Sequence, residues 1–294
     1  MSKLTISQLS KTYPNGVKAL DNINIEIHNG MFGLLGPNGA GKSSLMRTLA
    51  TLQEADTGSA LLDDIDILNQ PDELRKVLGY LPQEFGVYPR ITAEQLLDHM
   101  AILKGITNKS ERKEMVKYLL DKVNLYDKRK KAIKGFSGGM KQRVGIAQAL
   151  IGSPKLIIVD EPTAGLDPSE RNRFYNLLAD VGEKVVVILS THIVDDVREL
   201  CTNMAIMNLG EIVYKGAPQT AIEELSGKVY QKIVSREDLD QYAKEYSIIS
   251  NKMVGGKPLI HVFSDANPGD GFEQVQPNLE DVFFSKINTS NVLV

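Results

Sequence analysis

The residues from Gly36 to Ser43 read Gly-Pro-Asn-Gly-Ala-Gly-Lys-Ser and fit the pattern G-x-x-x-x-G-K-[ST]. Glycines let such a loop turn back on itself, so that successive backbone N–H groups point at one bound anion. Lys42 supplies a positive charge for β- and γ-phosphates, and the Ser43 hydroxyl can bind Mg²⁺. We therefore predict a nucleoside triphosphate, bound by Asn38, Gly39, Ala40, Gly41, Lys42, Ser43 and Ser44.

The elements on either side of this loop support that prediction. The apolar run 31–35 predicts a buried strand, and 43–52 predicts a helix. The N-terminal end of a helix carries partial positive charge, which favours phosphate.

A second motif, Ser137-Gly138-Gly139, opens a predicted helix that extends to about residue 151. Ser137 is a good N-cap, and the glycines let another backbone or a phosphate approach the helix end closely. A simple helix cap is the alternative interpretation.

A third motif follows this helix. The apolar run from Leu156 to Val159, ending in Asp160 and Glu161, predicts a strand buried on both faces of a parallel sheet. Asp160 would then lie beside the phosphate-binding loop, where a carboxylate can hold Mg²⁺ directly or through water. A plain acidic strand end is the alternative.

Together the three motifs resemble the ATP-binding subunits of ABC transporters. The family signature is Leu-Ser-Gly-Gly-Gln, and here Phe136 replaces the leucine and Met140 the glutamine. The resemblance implies an α/β P-loop NTPase fold, with a RecA-like core and an antiparallel β edge. It also implies an inserted α-helical subdomain, and ATP with Mg²⁺ as the ligands.

The resemblance also implies catalytic roles for individual residues. Glu161 would polarise the attacking water, and His192, which follows the apolar run 185–190, would contact the γ-phosphate. Gln83, within Leu81-Pro82-Gln83-Glu84, would sense Mg²⁺ and water and link the site to a membrane permease.

Other positions match binding motifs of the family. Tyr13 would stack on adenine. Asp167, at the end of Ala164-Gly165-Leu166-Asp167, would bridge two protomers. The segment 85–89 lies where the family contacts its permease. Ser137, Gly138 and Gly139 would cover the nucleotide of the partner.

Sequence spacing predicts the domain organisation. We expect an ATPase domain at 1–224, whose helical subdomain spans about 84–152, and a small α/β C-terminal domain at 225–294. In this last part Gly255-Gly256 predicts a hairpin turn. A final helix from Asn278 carries Leu-Glu-Asp-Val-Phe, which resembles a motif near the carboxyl end of ABC-2 exporter-type ATPases.

Composition narrows the possible partners. The net charge of −3 and the pI of about 5.9 argue against nucleic-acid binding, because such proteins carry a basic surplus. The single cysteine, Cys201, excludes an internal disulfide and indicates a reducing compartment. No run approaches the ~18 apolar residues that cross a bilayer, and we see no signal peptide. We thus expect a peripheral protein on the cytoplasmic face of the cell membrane, with a separate permease.

One copy of each motif predicts a head-to-tail homodimer, in which the signature of one protomer completes the site of the other. A soluble, non-transport ABC-type ATPase is the main alternative. A P-loop GTPase or small-molecule kinase is a weaker one, because the chain lacks an Asn-Lys-x-Asp guanine-reading motif.

Overall fold

The structure, a computed structural model, describes residues 2–83, 86, 90–163 and 166–291. Ala164, Gly165 and, apart from Gly86, the predicted permease-contact segment 85–89 lie outside these residues.

The described residues form strands and helices that alternate along much of the chain. The strands are β1 (Lys3–Thr12), β2 (Lys18–His28), β3 (Gly30–Leu35), β4 (Thr57–Leu62), β5 (Ile65–Asp66), β6 (Leu78–Leu81), β7 (Leu156–Asp160), β8 (Val186–Thr191), β9 (Asn203–Asn208), β10 (Glu211–Gly216), β11 (Val229–Ile233), β12 (Ile248–Val254), β13 (Lys257–Phe263) and β14 (Glu273–Gln274). The helices are α1 (Lys42–Leu49), α2 (Pro71–Val77), α3 (Ala93–Leu103), α4 (Lys109–Lys122), α5 (Gly138–Ala149), α6 (Pro168–Gly182), α7 (Val194–Leu200), α8 (Pro218–Glu224), α9 (Leu239–Glu245) and α10 (Leu279–Asn291).

The central sheet has the strand order β10-β9-β3-β8-β7-β6, and only β10 is antiparallel to its neighbour. Strands β7 and β8 are buried along their whole length and are apolar up to Asp160 and Ser190, as expected for strands covered on both faces. In the register, Leu35 lies beside Thr191 and Asp160 beside Ser190. The carboxyl ends of β3, β8 and β7 therefore meet at one edge of the sheet.

A second sheet, in the order β2-β1-β4-β5, is antiparallel throughout. Apolar side chains of its strands pack into one buried cluster with β3 and α1, for example Leu4, Ile25 and Leu62. The predicted α/β fold with an antiparallel edge is confirmed.

Three amphipathic helices, α3, α4 and α5, follow β6 and lie before β7 in the chain. Each begins at a capping side chain, namely Thr92, Asn108 or Ser137, that accepts a hydrogen bond from the first turn. Apolar spacing predicts helices over 93–104, 111–123 and 138–151, and each observed helix ends one or two residues earlier. Helix α4 also begins two residues earlier than predicted. The limits of the helical subdomain stay a prediction.

The end of α1 also differs from expectation, whereas β7 ends where predicted. Helix α1 ends at Leu49 rather than residue 52, and Thr51 beyond it takes a left-handed φ of +59°. Strand β7 ends at Asp160, because Glu161 takes a left-handed φ of +46°, which is incompatible with extended backbone.

The C-terminal part contains an antiparallel sheet in the order β12-β13-β11-β14. Gly255 and Gly256 form the predicted two-residue turn, both with positive φ, as a type I′ hairpin requires. Helix α10 packs its apolar side chains into the same cluster as Val197 of α7 and the buried Cys201. This tail is thus packed onto the ATPase part, and a boundary at 224 stays a prediction.

One close backbone contact in this fold is testable. A Cβ added at Gly79 of β6 would lie 2.2 Å from the carbonyl oxygen of Ala149, the last residue of α5, whereas Gly135 faces open space. We expect Gly79→Ala to lower the free energy of unfolding by about 1–3 kcal/mol through overpacking. Gly135→Ala, the matched control, should leave the urea midpoint unchanged. Equal midpoints for the two variants would contradict this packing.

Candidate nucleotide-hydrolysis site

The P-loop connects β3 to α1 and is shaped by glycines. Gly41 has a φ of +104°, and a Cβ there would lie 2.2 Å from the carbonyl oxygen of Ala19. No other residue type fits, because both the backbone angle and the space exclude a side chain. The buried Lys42 folds back over the loop, and its Nζ donates to the carbonyl oxygens of Gly36 at 2.7 Å and Pro37 at 3.1 Å.

A cleft of about 400 Å³ opens beside this loop. It is lined by most of the residues predicted to bind nucleotide and by two predicted catalytic residues: Tyr13, Asn38, Gly39, Ala40, Gly41, Lys42, Ser43, Ser44, Gln83 and Glu161. The fold thus brings together residues that lie far apart in the sequence.

Tyr13 lies at the edge of the cleft in a fixed orientation. Its hydroxyl donates to Gln53 Oε1 at 2.7 Å and lies 3.0 Å from Ser44 Oγ. Its stacking on adenine stays a prediction. The sequence analysis missed Gln53, which no motif marks.

The Glu161 carboxylate is the centre of the site. Gln83 Nε2 donates to Oε2 at 3.2 Å, and His192 Nδ1 lies 3.2 Å from Oε1. Lys42 Nζ lies 3.9 Å from the same Oε1. The Glu161 backbone N–H donates to the carbonyl oxygen of Ser190 at 2.8 Å, which fixes the residue to the end of β8. Three side chains, those of Lys42, Gln83 and His192, therefore meet at the carboxylate of Glu161.

Asp160 lies next to it, 4% exposed, and its Oδ1 atom is buried without a hydrogen-bond partner. Burial raises the pKa of Asp160, and the Glu161 charge adds to the rise. Burial likewise lowers the pKa of Lys42, and the charges of Glu161 and Asp160 oppose that change. A carboxylate oxygen with no hydrogen-bond partner, on the residue that precedes Glu161 of the cleft lining, fits a hard divalent cation.

Among the residues that the structure describes, no group of three or more His, Cys, Asp or Glu side chains could hold a metal ion. Mg²⁺ needs no such group, because it is usually held by one or two carboxylates together with substrate phosphates.

The remaining predicted binding residues do not lie in this cleft. Ser137 caps α5 by accepting from the Met140 N–H at 3.3 Å, and both Ser137 and Gly138 are exposed. A Cβ at Gly138 would meet nothing within 4 Å, so the helix end is open on this side. The structure does not bring Ser137, Gly138 or Gly139 to the nucleotide cleft of their own protomer.

Asp167 is likewise exposed and caps a helix. Its Oδ1 accepts from the backbone N–H of Glu170 at 2.8 Å and from the Ser169 hydroxyl at 2.9 Å. The bond from Glu170 is the main cause that lowers the pKa of Asp167. A bridging role between protomers stays a prediction.

The P-loop lies at the end of a parallel sheet, and a carboxylate pair, a glutamine and a histidine lie close to it. This arrangement defines a nucleotide-hydrolysing ATPase cassette. Residues 20–164 match the family model described as ABC transporter. The ABC transporter ATP-binding protein NatA of Bacillus subtilis (strain 168) is 34% identical over 226 residues, which cover 75% of this chain and 92% of NatA. The chain belongs to the family of ABC transporter ATP-binding proteins.

Two further relatives match nearly the whole chain. YxlF of Bacillus subtilis (strain 168), an uncharacterized ABC transporter ATP-binding protein, is 32% identical, with 97% of this chain and 99% of YxlF covered. YbhF of Escherichia coli (strain K12), named as a probable multidrug ABC transporter ATP-binding protein, is 33% identical over 95% of this chain. The chain spans about half (51%) of the length of YbhF.

Solved structures show the same fold. The ATP-binding cassette MJ0796, in a dimeric post-hydrolysis state bound to ADP and Pi, superposes with a TM-score of 0.66 at 27% identity. The match covers 73% of this chain and 98% of that structure.

None of the helices in the described part of the chain is long and apolar enough to cross a membrane.

The buried Asp160 charge leads to a prediction on stability. At neutral pH the carboxylate is ionised, and because its pKa is raised in the folded protein, its burial disfavours folding. Asp160→Asn removes this penalty, so we expect the nucleotide-free variant to melt at a higher temperature than the wild type. The difference in melting temperature between the variant and the wild type should become smaller as the pH falls from above the raised pKa of Asp160 toward the ordinary value of 3.8. Melting curves across this range test it, and a lower melting temperature for the variant at pH 7 would contradict it.

Proposed function

We propose that this chain hydrolyses ATP in a head-to-tail homodimer and that hydrolysis powers transport by a separate integral membrane permease. The observation that carries the proposal is the convergence of Lys42, Gln83 and His192 on the Glu161 carboxylate beside the P-loop.

The contacts of Glu161 suggest how hydrolysis proceeds. The carboxylate accepts a proton from the attacking water, or orients that water, while Lys42 turns from its own loop to the β- and γ-phosphates. His192 is held within 3.2 Å of Glu161 and is 44% exposed, so it can reach toward the γ-phosphate. Bound Mg²⁺, held by Ser43, Asp160 and Gln83, would offset the phosphate charge.

Among the described residues, none from the Ser137 helix end lines the cleft of its own protomer, so we infer that a partner covers the far side of the γ-phosphate. The exposed Ser137 end of α5 has free N–H groups and the positive end of a helix dipole, which suit a phosphate. A two-fold partner supplies that helix end, and the exposed Asp167 then lies near the seam. The dimeric state of MJ0796 supports this arrangement.

Transport is supported by the relatives, which are named as ABC transporter ATP-binding proteins. DrrA of Streptomyces peucetius, 36% identical over 71% of this chain, is named for daunorubicin and doxorubicin resistance. We infer export on that ground and on the Leu-Glu-Asp-Val-Phe motif. The permease would hold the chain at the cytoplasmic face of the membrane, where Gln83 passes the state of the site to it. No nucleic acid is required.

The proposed permease partner can be tested by co-purification. The full chain, expressed in its own cell with an affinity tag, should co-purify in mild detergent with an integral membrane protein. Recovery without any membrane protein, at full ATPase activity, would contradict the transport role.

The proposed base is tested by Glu161→Gln, which keeps the shape of the side chain but removes its charge. We expect ATP binding to persist while kcat falls about 10²–10⁴-fold, the usual contribution of a general base. ATP should also hold the variant as a dimer in size-exclusion chromatography. Glu183→Gln, an exposed change at the end of α6, is the matched control. A normal rate for Glu161→Gln would show that another group acts as the base.

Mixing two inactive variants tests the shared site. Lys42→Ala breaks the P-loop, and Ser137→Arg blocks the helix end that would cover the partner's phosphate. A mixed dimer holds one site in which the intact P-loop faces the intact Ser137, so the mixture should recover about a quarter of wild-type activity if protomers pair at random. If the Ser137 helix served its own protomer, every site in the mixture would stay defective and no activity would return.

A further inference from the structure

A buried carboxylate behind the proposed site joins three parts of the chain. Asp196, in the first turn of α7, is fully buried, with a side-chain exposure of 0%. Its Oδ2 accepts from Thr163 Oγ1 at 2.6 Å and Thr191 Oγ1 at 2.8 Å. Its Oδ1 accepts from the Tyr175 hydroxyl at 2.5 Å and lies 3.0 Å from Arg171 Nη2.

The two oxygens of this carboxylate serve different elements. Oδ2 accepts from two residues at or shortly after the carboxyl ends of β7 and β8. Thr163 lies two residues after Glu161, and Thr191 directly precedes His192. Thr191 Oγ1 also accepts from the Ile193 N–H at 2.9 Å, so the backbone is fixed on both sides of His192. In the part of the chain that the structure describes, Oδ1 contacts Tyr175 and Arg171, both of α6.

Helix α6 in turn contacts the helix that carries the signature motif. Glu170, in its first turn, lies 3.4 Å from Arg143 of α5, measured from Oε2 to Nε. A Cβ at Gly139 would lie 2.5 Å from Glu170 Oε2, so the carboxylate packs directly on the signature glycine. The same first turn holds Asp167 as its N-cap. The polar contacts therefore run from the signature helix through α6 to Asp196 and on to His192.

We propose that Asp196 is a positioning residue that couples the two nucleotide sites of the dimer. This inference rests on the proposed function. The Oδ2 side positions His192 and Glu161 on the nucleotide that the protomer binds. The Oδ1 side holds α6 and, through it, the Ser137 end that covers the nucleotide of the partner. A shift at one site thus changes the geometry of the other.

Chemistry explains why a carboxylate is needed. All four neighbours are donors, and a carboxylate offers acceptor positions on both oxygens. An asparagine has one acceptor oxygen and one NH₂ group, so it can accept on one side only. An NH₂ group turned toward α6 would face the Arg171 guanidinium, which has no acceptor.

Asp196→Asn is the experiment, on the full chain with ATP. We expect kcat per folded protomer to fall about 10- to 100-fold, as for a misplaced catalytic group, with KM for ATP within about twofold of wild type. The Hill coefficient for ATP should fall toward 1. Asp195→Asn, an exposed neighbour that pairs only with Arg198 in the described residues, is the matched control and should behave as wild type.

Tyr175→Phe is a second test for the case in which Asp196→Asn unfolds. It removes one hydroxyl donor to Asp196 Oδ1 and keeps the aromatic ring. We expect a smaller loss of kcat and of the Hill coefficient, and in the double variant with Asp196→Asn the two losses should not add. A purely structural role would lower the melting temperature of both variants and leave kcat and the Hill coefficient of the folded fraction unchanged.

Wild-type kcat and Hill coefficient in Asp196→Asn would overturn the proposal. If that variant does not fold, wild-type values in Tyr175→Phe would overturn it equally. A wild-type chain that shows no cooperative, concentration-dependent ATPase activity would instead contradict the proposed dimer mechanism itself.

Discussion

The attraction between one carboxylate and the polar groups around it organises this protein. Glu161 lies near Lys42, Gln83 and His192, which follow three different strands of the central sheet. These groups meet only because the parallel register places the carboxyl ends of β3, β8, β7 and β6 at one edge. The central strands β7 and β8 are buried on both faces, so apolar packing on both sides of the sheet holds them together.

The site carries an electrostatic cost in the nucleotide-free protein. Burial disfavours the charged forms of Lys42 and Asp160, and Asp160 keeps an oxygen without a hydrogen-bond partner. Glu161 also holds a left-handed backbone conformation that most side chains avoid. Strain and perturbed pKa values of this kind concentrate where a ligand later supplies the missing charge.

Behind the cleft, polar contacts connect the elements that would face the two nucleotides of a dimer. The pairs Arg143–Glu170 and Arg171–Asp196 link α5 to α6 and α6 to α7, and α10 of the tail packs into the cluster that contains Val197 of α7. The tail thus lies against the helix that follows His192.

The sequence alone determined the motifs and the elements next to them. Residue type and spacing mark Gly36–Ser43 because a phosphate loop needs glycines, a lysine and a hydroxyl within a few residues. Helices α3 to α5 follow from apolar spacing. Helix α6 was not predicted, although Asp167 as N-cap and Pro168 at its first position are start signals. Gln53 could not be predicted, because its contact with Tyr13 joins residues that no local pattern relates.

Tertiary structure alone decided which of two adjacent aspartates is buried and hydrogen-bonded. Asp195 and Asp196 are identical in type and share one helix turn, yet the first is exposed and the second is buried among four donors. The packing of α7 against α6 and β8 makes that difference, and it arises from contacts between residues distant in sequence. Local spacing fixes which groups the chain carries, whereas burial and register fix which of them meet.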